Sequence, residues 1–286
     1  MSDLEVPATA SGPWPAPAKL NLFLHITGQR PDGYHELQTL FQFLTVGDWL
    51  YFDIHGGNDV SLHGTPAGVP AADDLCVKAA CLLRESTGCA SGVTLYNDKQ
   101  LPPGSGLGGG SSDAATTLLV LNRLWQLGLE TRQLAELGLG LGADVPVFIH
   151  GHAAWAEGVG EILTPVSPPE GWFLVVIPPV SVSTADIFSD AELTRDSPRM
   201  KIPDLLSGCG RNDCEALVRR RYPEVAAALD WLARFSPARM SGTGGSVFAA
   251  FDTNADARLV ADQLPDGWES FIARGVNRSP LLSAME

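Results

Sequence analysis

The chain has 286 residues, 45% of them hydrophobic and 18% charged, with a formal net charge of −14. Those proportions describe a globular protein with ample material for a core and exclude a disordered one. The acidic balance repels phosphate backbones and so disfavours nucleic acid as a partner, and the lack of any apolar run of about 18 residues argues against a membrane span.

Residues 1–17 are acidic and rich in Pro and Ala, with no basic stretch ahead of an apolar one, and read as a loose leader instead of a signal peptide. Residues 18–26 alternate apolar (Leu20, Leu22, Leu24, Ile26) and polar side chains, the mark of a half-buried strand. A turn is expected at 30–33, then two further strands at 36–43 and 49–54 separated by a break at Gly47-Asp48. Residues 74–86 suit an amphipathic helix, 92–96 a short strand, 111–125 a strong helix and 131–139 a second helix stopped by Gly140 and Gly142. The apolar run 145–149 then predicts a strand opened by Asp144 and Pro146. Beyond it come a buried strand at 172–177, a helix at 217–235, a strand at 246–251, a helix at 255–263 and a last strand at 269–276. The alternation predicts an α/β protein of two closely packed subdomains, 1–155 and 156–286. Five cysteines (Cys76, Cys81, Cys89, Cys209, Cys214) include no C-x-x-C pair, so reduced thiols in a cytoplasmic protein are expected.

The stretch 101–113, Leu-Pro-Pro-Gly-Ser-Gly-Leu-Gly-Gly-Gly-Ser-Ser-Asp, carries five glycines in seven positions between Gly104 and Gly110. Without a Cβ, successive backbone N–H groups can turn to one side. A row of such groups leading into a helix N-terminus makes an anion cradle, reinforced by the helix dipole. Ser111 and Ser112 stand where the helix begins, placed to cap it or to turn a hydroxyl toward a phosphate oxygen or its magnesium ion. No Lys follows the glycines, which excludes a Walker A loop. The string Gly104-x-Gly106-x-x-Gly109 matches the dinucleotide fingerprint but follows a polar stretch and two prolines instead of a buried strand. A phosphate cradle of a third kind is what remains.

Residues 102–114 resemble the signature of the GHMP kinases, Pro-x3-Gly-Leu-Gly-Gly-Gly-Ser-Ser-x-Ala. Two further segments match in order, Pro17-Ala-Lys-Leu-Asn-Leu22 and Ser241-Gly-Thr-Gly-Gly-Ser246. Stretches 19–24, 26–35, 37–42 and 141–148 are similar to the branch of that family that acts on a cytidine diphosphate sugar alcohol. The resemblance implies a two-domain fold with the active site between the domains, with ATP and Mg²⁺ as cofactors. It also implies a phosphate cradle over Pro102, Pro103, Gly104, Ser105, Gly106, Leu107, Gly108, Gly109, Gly110, Ser111 and Ser112. Two positions depart from the usual pattern: Asp74 where Asn is common, and Ser105 where Gly is common.

Read alone, Lys19 is an exposed strand lysine and Asp144 a helix-stop residue. The resemblance makes them the catalytic pair, Lys19 holding Asp144 and the transferring phosphate, and Asp144 orienting the substrate hydroxyl and accepting its proton. By the same resemblance Leu75 and Lys99 line an adenine pocket. Tyr34 and Phe188 stack on the cytosine, His35 bonds its edge, and Asn21 and Thr184 contact the sugar or phosphates. The pair His150 and His152 lacks the further ligands a metal site needs, and no protein metal site is expected. The oligomeric state is left open.

Overall fold

Two long antiparallel strands, β1 (Ser11–Gln29) and β2 (His35–His55), run side by side and form the frame on which the rest is hung. The structure, a computed structural model, describes residues 4–64, 70–202 and 210–286. Along its length β2 also pairs with β4 (Gly92–Asp98), β5 (Ala154–Gly158) and β10 (Glu269–Val276). Outward from β4 lies β3 (Val60–His63), in parallel, and β5 carries β6 (Ile162–Pro165). From β10 the sheet continues through β7 (Trp172–Ile177), β9 (Val247–Phe251) and β8 (Ala238–Met240), giving ten strands among the described residues.

Helices cover the two ends of this sheet separately. Over the N-terminal end lie α1 (Leu75–Thr87), α2 (Gly109–Leu124), α3 (Thr131–Leu139) and α4 (Val145–His150). Their apolar sides join Phe41, Phe43, Phe52 and Leu95 in one buried cluster. The other end is covered by α6 (Glu215–Arg221), α7 (Pro223–Leu232) and α8 (Asn254–Ala261), whose Leu217, Val218, Leu229 and Val260 pack with Leu174, Val176 and Val247. Helix α5 (Thr184–Ser189) sits beside this second cluster, and α9 (Pro280–Met285) closes the chain against the first.

Four expected elements differ. Residues 11–17 are no leader but the start of β1. Prolines 13, 15 and 17 fall two apart, so their missing donors share one side of a strand that has a strand partner on only one flank there. The break at Gly47-Asp48 does not divide β2: a Cβ at Gly47 would lie 2.2 Å from the Ala16 carbonyl oxygen, and Asp48 is fully buried. Both residues serve close contacts inside a continuous strand. The run 145–149 is helix α4, not a strand, with Pro146 in its first turn and Gly151 left-handed at its end. All five apolar residues are buried, and a short run buried on every side carries no periodicity to separate the two. The helix expected at 217–235 is two, parted where Tyr222 precedes Pro223 and is held out of the helical region. Cys76, Cys81, Cys89 and Cys214 are free thiols, while Cys209 and Met1 to Asp3 lie outside the described residues. No helix of the described residues is long and apolar enough to cross a membrane.

Candidate active site

The glycine-rich loop enters α2 at the floor of a cavity of about 1150 Å³. Gly104, Gly106 and Gly108 have φ of 70°, 74° and 75°, while Ser105 and Leu107 between them do not have positive φ. Left-handed glycines alternating with residues that are not left-handed turn successive N–H groups toward one side, making an anion-binding concavity. The first turn of α2 adds the N–H groups of Gly109, Gly110 and Ser111, which have no intrahelical partner and line the cavity. The loop is anchored from below. Leu107 is fully buried beside Ala18, Leu20 and Leu101, and its carbonyl accepts from Lys19 N at 2.9 Å. The second glycine stretch packs on the first main chain to main chain. A Cβ on Gly106 would lie 2.5 Å from the Ser241 carbonyl oxygen, and Ser246 Oγ donates to the Ser105 carbonyl at 2.7 Å.

Lys19 projects from β1 toward this loop and is 3% exposed. Its ammonium has three protons and three acceptors: the Asn21 side-chain oxygen, the Gly106 carbonyl at 3.1 Å, and Asp144 Oδ2 at 3.2 Å. Asn21 is itself fixed, donating to Thr39 Oγ1 at 2.9 Å. Asp144 stands just before α4 and is one-third exposed to the cavity, so one partner of the pair is buried and the other faces an incoming molecule. An arriving phosphoryl oxygen must therefore displace one of the contacts of Lys19 or meet the ammonium only as a nearby charge.

A second lysine, Lys99, follows β4 and binds both Asp48 and Asp113, the latter at 2.8 Å. Asp48 also accepts from the backbone of Gln100 and Leu101 at 2.6 and 2.8 Å, pinning the start of the glycine loop. Burial pushes Asp113 up to about 7, opposed by Lys99 and reinforced by Asp48. Burial disfavours the Lys99 charge, but the two carboxylates outweigh it and hold the ammonium above its ordinary value.

Elsewhere on the cavity wall His35 stacks on Phe188, with ring centroids 5.1 Å apart and planes 29° apart. Tyr34 beside them is exposed. Thr184, in the first turn of α5, shares a hydrogen bond of 2.8 Å with Thr243 of the second glycine stretch. The acids lining the cavity (Asp32, Asp73, Asp74, Asp113 and Asp144) outnumber its cations, Lys19 and Lys99, both of which are already paired. A polyphosphate held here relies on main-chain N–H groups more than on cationic side chains.

The descriptions GHMP kinases N terminal domain and GHMP kinases C terminal match residues 74–152 and 198–270. The chain belongs to the GHMP kinase family. It is 57% identical over 267 residues to a 4-diphosphocytidyl-2-C-methyl-D-erythritol kinase of Pseudomonas syringae pv. syringae, covering 93% of this chain and 95% of that one. A protein of the same name from Pseudomonas paraeruginosa is 58% identical, with 95% and 96% covered. A solved 4-(cytidine 5'-diphospho)-2C-methyl-D-erythritol kinase superposes with a TM-score of 0.78 at 31% identity, covering 91% of this chain and 98% of that one.

In this GHMP kinase the cavity is lined by Lys19, Asn21, Tyr34, His35, Leu75, Lys99, Asp144, Thr184 and Phe188, and by residues 102–106 and 108–111. Two expected cradle residues are not on its wall. Leu107 points into the core, and Ser112 is fully buried with no partner for its hydroxyl, because on a helix only Ser111 of the adjacent pair can face the cavity. Neither serine caps α2, whose N-cap is Gly108. Asp74, at a position where the family often carries Asn, caps α1 by accepting from Cys76 N at 2.8 Å. Sequence reading missed Asp48, Asp113, Thr39 and Thr243. Asp113 follows the Ser-Ser pair and was within reach of a motif argument; Asp48 and Lys99 are 51 residues apart, a distance at which no spacing rule operates.

Proposed function

We propose that this kinase transfers the γ-phosphate of ATP to the 2-hydroxyl of 4-diphosphocytidyl-2-C-methyl-D-erythritol, in the cytoplasm, on the non-mevalonate route to isoprenoid precursors. The observation that carries the proposal is one cavity onto which three devices open: the amide cradle, the Lys19–Asp144 pair and the His35–Phe188 aromatic pair. At about 1150 Å³ it exceeds the roughly 300–1,000 Å³ of a single-ligand pocket, which suits a nucleotide and a second nucleotide-bearing substrate together.

Phosphoryl transfer asks for alignment and charge neutralisation. The amides of Gly106 and of Gly108 to Ser111 hold the polyphosphate, with Leu75 and Lys99 bordering the adenine. Lys19 balances charge on the transferring group and keeps Asp144 turned toward the acceptor hydroxyl. Asp144 accepts the hydrogen bond of that hydroxyl and takes its proton as the phosphoryl group is transferred. His35, Phe188 and Tyr34 offer an aromatic face and a polar edge to a pyrimidine, and Asn21 and Thr184 lie toward the sugar and phosphates.

A cavity richer in carboxylates than in free cations fits ATP carried with Mg²⁺, which supplies charge neutralisation at the phosphates; Asp144 and the Ser111 hydroxyl are the oxygens that would help hold it. We place the division between the two domains near residue 155. This is supported by an apolar cluster drawn mainly from residues 16–156 and another mainly from 174–260.

The test is an acceptor panel with ATP and Mg²⁺, comparing the cytidine substrate, its uridine analogue, mevalonate and homoserine. ADP release is expected with the cytidine substrate alone. Release with mevalonate or homoserine in its place would move the chain to another branch of the family.

A further inference from the structure

Behind the aromatic pair, off the cavity wall, sits Arg195, a half-buried residue 160 positions from His35 in the sequence. Its Nε donates to His35 Nε2 at 3.0 Å. The same guanidinium donates to three carbonyls of the segment that presents Phe188: Phe188 itself at 3.1 Å, Asp190 at 2.7 Å and Leu193 at 3.0 Å. One side chain thus ties the imidazole and the phenyl ring into a single stacked unit, although β2 carries one and the end of α5 the other.

The contact to His35 has a chemical consequence. A guanidinium has donors and no acceptor, so the Nε2 it addresses must present a lone pair. A neutral imidazole with an accepting Nε2 carries its proton on Nδ1. The ring is held neutral because burial, and then the adjacent Arg195 charge, lower its affinity for a second proton. Among the described residues Nδ1 has no protein hydrogen-bond partner, and His35 lines the cavity.

We propose that Arg195 is a positioning residue for base recognition: it locks His35 as the Nδ1–H tautomer, so that the cavity meets a hydrogen-bond donor there, and it fixes the Phe188 ring against that imidazole. The inference rests on the reading that this end of the cavity takes the pyrimidine. Cytosine carries two adjacent acceptors, N3 and O2, which a single N–H donor can address. An unrestrained histidine would divide its population between tautomers, and the accepting form would repel both atoms. Arg195 acts through His35 and touches no reacting atom.

Nitrogen NMR of the His35 ring in the free wild-type enzyme tests this without substrate. The Nδ1–H form is expected to dominate, and an Nε2–H ring would overturn the proposal outright. In Arg195→Met, which removes the donor while keeping a long side chain, a mixed or Nε2–H ring is expected. KM for the cytidine substrate should rise about tenfold, with kcat within about threefold, the pattern of lost binding and not of lost chemistry. Ring and KM must move together, and a shift in only one, or in neither, would overturn the role. If the variant does not fold, the wild-type spectrum still decides. A wild type that turns over the uridine analogue as well as the cytidine substrate would instead count against the base reading, leaving the tautomer result intact.

Discussion

Two ion-paired lysines line this cavity, and their surroundings make them opposites. Lys19 is 3% exposed, yet its acid partner Asp144 is one-third exposed and faces the cavity. Lys99 is 19% exposed and its partners Asp48 and Asp113 are almost wholly buried. In the first pair the unsatisfied side is turned toward the reactants; in the second it is turned into the protein and used to clamp the glycine loop through Gln100 and Leu101. An ion pair near a site is therefore read by which partner water or substrate can reach, not by its distance. Breaking the first should cost turnover and breaking the second should cost stability.

The sharpest way to break this contrast is Asp144→Asn. The amide keeps the shape but is a poor proton acceptor, and turnover should fall by about 100-fold or more, the usual range for a lost acid–base group. Thermal unfolding should barely move. Substantial residual turnover would remove Asp144 from its assigned role. Lys99→Met should act chiefly on stability, because it leaves the buried Asp48 and Asp113 without their cation, a loss of about 3–5 kcal/mol in chemical denaturation. A variant as stable as the parent would show that the clamp is ornamental.

Gly106→Ala probes the cradle that both pairs support. The left-handed backbone costs a side chain about 1–2 kcal/mol, and the added methyl group would press on the Ser241 and Gly244 carbonyls. KM for ATP should rise about tenfold while KM for the acceptor changes less.

The least direct effect expected is in the pH dependence of stability. Asp113 sits at about 7 in the folded chain against 3.8 for an ordinary aspartate, so the folded state binds more protons between those values. Its contribution is fully present below about pH 4 and is lost as pH rises through about 7. Asp113→Asn should therefore flatten the decline of stability across that window, measured by urea unfolding at a series of pH values. An unchanged slope would mean that another group titrates there.

What could be read from the sequence was whatever the chain expresses locally. The glycine run, with its serines and the helix behind it, announces a cradle because backbone freedom and helix dipoles are properties of neighbouring residues. The helix at 131–139 was legible from its helical period, and the strands read at 92–96, 172–177 and 269–276 from short apolar runs bounded by polar or turn residues. Reading an apolar run as a strand failed at 145–149, where burial on all sides leaves no period to tell helix from strand, and reading Gly47-Asp48 as a break failed because residues typical of a turn lie within a strand there.

The amino-acid order by itself determined the cradle, the family resemblance and most of the elements. Only the tertiary structure decided which acids Lys99 binds, that Ser112 turns inward while Ser111 does not, and that Arg195 stands behind His35. Lys99 meets Asp48 from 51 residues away and Arg195 meets His35 from 160, and charge pairing and close packing act only across distances that the folded chain creates.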